Sequence, residues 1–107
     1  MPKYLIQATY TADGLKGLLK DGGTKRRAAI EQASASVGAS LEAFYYAFGS
    51  DDVHMILDAP DNVSVAAVSL TAGAGGAATN IRTTVLLTPE EIDQAVQKTV
   101  SYTSAGQ

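Results

Sequence analysis

Along residues 3–10 the apolar and polar positions alternate, with Tyr4, Ile6, Ala8 and Tyr10 on one side and Leu5, Gln7 and Thr9 on the other. That is the period of a half-buried strand. Over residues 11–21 the period changes: Leu15, Leu18 and Leu19 recur at helical spacing until Gly22-Gly23 interrupts them. Thr24 can cap a second helix running to about residue 37. Its inward stripe is Ala28, Ala29, Ile30, Ala33 and Val37, and Gly38 supplies the closing glycine. Residues 40–48 and 53–58 read as two strands joined by the turn Gly49-Ser50-Asp51-Asp52. Ala59-Pro60 ends the second of them, and Asp61 or Ser64 can cap a helix containing Val65, Val68 and Leu70. A Gly- and Ala-rich run over 71–79 leads into a fourth strand at 80–87. Thr88-Pro89-Glu90-Glu91 then combines a Thr cap, a Pro in the first turn and a Glu three residues after the cap. Ile92, Ala95, Val96 and Val100 continue that last helix, and 101–107 is expected to fray.

The order is β-α-β-β-α-β with a terminal helix, the split βαβ arrangement of ferredoxin-like domains. Right-handed crossovers put the first and third strands in the centre of an antiparallel four-stranded sheet, with both long helices on one face. The predicted class is α+β, in a single domain over residues 1–107.

Strand parity divides the sheet into two faces. With Leu41, Ala43, Tyr45, Ala47, Val53, Met55 and Leu57 set against the helices, the opposite face carries Gln7, Thr9, Glu42, Phe44, Tyr46, Phe48, His54, Ile56, Asp58, Arg82, Thr84 and Leu86. A monomer would expose Phe44, Tyr46, Phe48 and Ile56 together, an apolar patch of uncommon size for a soluble protein. Those four are the expected interface of a homo-oligomer, at least a dimer. A slip of one residue in register would exchange the two faces.

Composition narrows the function classes. Hydrophobic residues make up 46% and charged residues 18% of the 107, as in a folded globular domain. No apolar run approaches the roughly 18 residues of a membrane span. The net charge of −3 argues against nucleic acid as a partner. Lys16, Lys20, Lys25, Arg26 and Arg27 form a local basic group that, at helical spacing, reads as a solvated face. The absence of cysteine removes disulfides and thiolate metal sites. With no signal-peptide pattern at Met1-Pro2-Lys3, it leads us to expect a cytoplasmic protein.

The chain has one histidine, His54, and it is the candidate catalytic group: its ordinary pKa near 6.5 suits acid or base work, given a carboxylate such as Asp58 or Glu42 to orient it. The plainer reading is an interface histidine satisfied by a hydrogen bond. Asp58 lies four residues along the same strand, about 13 Å away at roughly 3.3 Å per residue, so the two cannot pair within that strand, and a cross-strand or cross-subunit partner stays open. Gln7, Tyr46, His54 and Arg82 form the candidate ligand-binding set. No metal or other cofactor is expected, because one histidine and turn-forming aspartates (Asp51, Asp52, Asp61) lack a ligand spacing. Gly73-Ala74-Gly75-Gly76 closes a helix and precedes a strand, the reverse of a dinucleotide fingerprint. Val53-His54-Met55-Ile56-Leu57 has none of the basic-aromatic character of an RNA-binding strand.

Several segments together resemble the GYD-domain family, small bacterial and archaeal proteins of the dimeric α+β barrel group. They are the opening strand Tyr4 to Tyr10, Gly14-Leu15-Lys16-Gly17-Leu18-Leu19, Ala43-Phe44-Tyr45, and Gly49 to Asp52. The likeness continues through Asp58-Ala59-Pro60-Asp61, Ile81-Arg82-Thr83 and Leu87-Thr88-Pro89-Glu90-Glu91. In the family's naming motif a tyrosine precedes the aspartate; here Asp51 stands in its place, with Asp52 as the matching aspartate. The resemblance implies a ferredoxin-like fold and oligomerisation and brings no established activity.

Two functions follow as expectations. In the first, the chain is a non-catalytic oligomer whose outer sheet face serves assembly, with a small apolar ligand filling any residual cavity. In the second, it resembles the cofactor-free monooxygenases and isomerases of the barrel group and acts on a small apolar or aromatic compound. His54 would then be the base, and Arg82 or Tyr46 would stabilise an oxyanion. Fold analogy is the weaker warrant, and the first is favoured.

Overall fold

The computed structural model describes residues 1–107. The elements are β1 (Lys3–Tyr10), α1 (Ala12–Asp21), α2 (Gly23–Ala35), β2 (Ser40–Tyr46), β3 (Val53–Asp58), α3 (Asn62–Ala74), β4 (Ala78–Leu86) and α4 (Pro89–Val96). The four strands form one sheet in the order β2-β3-β1-β4, and every neighbouring pair is antiparallel. β1 and β3 are central, as the crossover rule requires.

The two central strands alternate between buried and partly exposed residues along their length. Tyr4, Ile6, Val53, Met55 and Leu57 point to the helix side and form the core with Ala39, Ala59 and Val65. The buried Tyr4 hydroxyl donates to Asn62 Oδ1 at 2.6 Å, which satisfies its polar end and ties the start of α3 to β1. Asp61, not Ser64, caps α3: its carboxylate accepts from Ser64 N at 2.8 Å. That hydrogen bond holds the Asp61 carboxyl below its usual range. Thr88 and Glu91 form the expected capping box of α4.

A glycine replaces the expected Thr24 cap. Gly22, at φ 81°, closes α1 by donating to Leu18 O at 2.8 Å and also serves as N-cap of α2. A left-handed residue reverses the chain in a single step there, so Thr24 falls inside the helix. Gly23 is needed for a different reason: a Cβ would stand 2.9 Å from the Tyr46 ring. The Gly- and Ala-rich run is helical as far as Ala74, and the last strand begins at Ala78 rather than 80.

β2 contains a bulge that corrects the parity assignment. Leu41 pairs with Leu57 and Ala43 with Ile56, so β2 has one residue more than β3 over this interval. Beyond the bulge every side chain changes face. Phe44 stands opposite Met55 and Tyr46 opposite Val53, both on the helix side, whereas Ala43 and Tyr45 turn outward. Phe44 packs against the core and meets Tyr46 edge-on at 5.2 Å between ring centroids. The Tyr46 hydroxyl donates to Gly23 O at 3.0 Å. Phe44 and Tyr46 therefore do not form the outer patch expected of them. Phe48 lies beyond the end of β2 and is fully exposed, and Ile56 does face outward.

α2 leans on the edge strand β2 and α3 on the opposite edge strand β4. The two helices are thereby splayed, leaving a cleft above the centre of the sheet. α4 stands away from the domain, and of its residues only Glu91 is not exposed. No helix is long and apolar enough to cross a membrane.

Candidate functional site

The register sets one row of side chains straight across the outer face. Tyr45 of β2 pairs with His54 of β3, His54 with Gln7 of β1, and Gln7 with Arg82 of β4. Directly opposed residues in antiparallel strands lie about 5 Å apart, so each member of the row stands beside the next. Three of the expected ligand-binding residues, Gln7, His54 and Arg82, are thus brought together. The fourth, Tyr46, is on the far side of the sheet, and Tyr45 takes its place with 70% of its surface exposed.

The adjoining row is apolar, with Ala43, Ile56 and Leu5 in succession and Thr84 at its end. The next row is ionic. Lys3 Nζ donates to Asp58 Oδ1 at 2.8 Å and to Glu42 Oε2 at 2.9 Å. These two bonds, that to Asp58 foremost, raise the lysine's pKa. Both carboxylates expected to orient His54 are therefore held by Lys3, and the imidazole makes no side-chain hydrogen bond within the chain. No three His, Asp or Glu side chains converge as a metal-ligating group.

At the other end of the row Arg82 Nη2 is ion-paired with Asp51 Oδ2. The Asp51 side chain is 4% exposed and the guanidinium side chain 53%, so one edge of the arginine faces Asp51 and the rest faces solvent. Asp52 does separate work. Its carboxylate accepts from Tyr10 N at 2.8 Å, and its own N–H donates to Ala8 O at 2.9 Å. The two aspartates of the turn, expected to do no more than form it, fasten the β2–β3 hairpin to β1 and β4.

Tyr45, Lys3 and Asp51 were missed by sequence reasoning. A signal for Tyr45 was present: bulky apolar residues at 41 and 44 are three apart, a spacing that strict alternation cannot put on one face without an extra residue.

On the reverse side of the sheet, the cleft between α2 and α3 has a volume of about 450 Å³. Its walls include Phe44, Met55, Ile30 and Ile81, and none of Gln7, His54 or Arg82.

No curated protein matches the chain. The family model of the GYD domain matches residues 4–96, a span holding the sheet from Tyr4 onward, both aspartates of the turn and the Thr88 capping box. On that match the chain belongs to the GYD-domain family.

Proposed function

We propose that the chain is an assembly and small-molecule-binding module that joins at least one further copy of itself through the outer face of its sheet. The observation that carries this reading is the transverse row Tyr45-His54-Gln7-Arg82 beside the apolar row Ala43-Ile56-Leu5, on a face that no helix of the chain covers. A second copy over this face would bury the apolar row and enclose the polar one. The enclosed space would suit a small apolar ligand with one polar end. Arg82 keeps donors free beside its bond to Asp51, and the His54 ring nitrogens can bond a polar group.

α4 adds support. Ile92 and Val96 lie one turn apart on a helix of eight residues, both exposed. A helix this short does not hold its form in water without packing, and a neighbouring copy would supply it.

Sedimentation velocity on the wild type and on Tyr45→Asp and Ile56→Asp tests the proposal. We expect an oligomer for the wild type and folded, smaller species for both variants, because an unpartnered charge in a desolvated interface is costly. Unchanged sedimentation of both variants would refute it. His54→Ala should leave assembly intact while weakening any ligand found by screening.

A further inference from the structure

We propose that the cleft between α2 and α3 is a second binding site, for an apolar carboxylic acid whose carboxylate is held by Arg26. It lies on the face of the sheet opposite the assembly face and does not depend on that reading.

The cleft exists because its walls are built from small residues, among them Ala29 and Ala33 of α2 and Ala67 and Ala72 of α3, while the helices rest on opposite edge strands. Protein interiors ordinarily fill such space with side chains. Here about 450 Å³ is left, within the range of small-molecule pockets. Phe44, Met55 and Ile81 give it an apolar lining suited to hydrocarbon.

Its charge is one-sided. Of the three consecutive basic residues of α2, Lys25 pairs with Asp21 at 3.5 Å and Arg27 with Glu31 at 3.1 Å. Arg26, which lines the cleft, pairs with no carboxylate, and no Asp or Glu lines the cleft beside it. A guanidinium at the border of an apolar cavity is a ready partner for a planar anion, which it can bind through two parallel hydrogen bonds. An apolar cavity with an unpaired cation at its border and no anion of its own selects a ligand of opposite design, a hydrocarbon or aryl body ending in a carboxylate.

Calorimetric titration of the full chain with submicellar decanoate, and separately with decanol, tests this. We expect decanoate to bind more tightly than decanol, and Arg26→Gln to weaken decanoate by about tenfold or more while leaving decanol unchanged. Ala33→Phe, which fills the cleft, should abolish both. Ala29→Leu serves the same purpose if circular dichroism shows that the Phe variant is unfolded. Absence of decanoate binding, equal affinity of the wild type and Arg26→Gln for decanoate, or full binding by a folded cleft-filling variant would each overturn the proposal.

Discussion

Arg82, on the edge strand β4, spans β1 to bind the carboxylate of Asp51 in the turn between β2 and β3. The aspartate is buried and the arginine half exposed, so the bond's main effect is to neutralise a charge that the turn has drawn out of water. Arg82→Ala should cost about 1–2 kcal/mol, less than a fully buried pair would because solvent screens the guanidinium. Asp51→Asn should cost less, since no uncompensated charge remains. Urea denaturation at pH 7 checks both, and equal losses would contradict this asymmetry.

Adjacent aromatics of β2 should respond in opposite ways to the same substitution. Phe44→Asp puts a carboxylate against Met55 and the core, and a loss of about 3–5 kcal/mol, enough to unfold a small domain, is expected. Tyr45→Asp should leave a folded chain, by circular dichroism, that no longer assembles. If Phe44→Asp folds and Tyr45→Asp does not, the bulge at Glu42 is misplaced.

Two glycines of α1 offer a matched pair. A Cβ on Gly14 would overlap the carbonyl oxygen of Ala77, whereas nothing lies within 4 Å of one on Gly17. Gly14→Ala should destabilise by about 1–3 kcal/mol through overpacking. Gly17→Ala should stabilise by about 0.5–1 kcal/mol, by removing backbone freedom from the unfolded chain. Thermal melts of the two variants should shift in opposite directions.

Burial, with the Tyr10 hydroxyl adding to it, pushes the Tyr46 phenol up to about 12 from an ordinary 10. The folded state therefore holds this proton more tightly than the unfolded state does. Its contribution to stability is complete below pH 10 and is lost as the pH rises from 10 through 12. Tyr46→Phe should show a shallower loss of stability over that interval, measured by denaturant midpoints at successive pH values. An identical slope would contradict the shift.

The β1 alternation, the caps at Asp61 and Thr88 and the βαββαβ order were all legible because each rests on local chemistry: period, cap oxygen and crossover handedness. On the outer face, parity held for the central strands and for Arg82 of β4, and failed in β2. Gln7, His54 and Ile56 sit on strands without a slip before them and fall where parity puts them. Tyr45 and Tyr46 exchange places because one unpaired residue at Glu42 costs little in an edge strand and reverses everything after it. Asp51 was read as a turn former because the arginine that neutralises it lies 31 residues away in sequence, a separation that no local pattern records.

The chain contains no cysteine, so single cysteines can be introduced without competing thiols. Leu5→Cys, Ile56→Cys and Thr84→Cys on the outer face, and Glu31→Cys on exposed α2 as the control, can each be treated with a short bismaleimide. We expect covalent dimers from at least one outer-face variant and only monomer from the α2 control. Dimers from the α2 variant alone, or monomer from all four, would contradict assembly through this face.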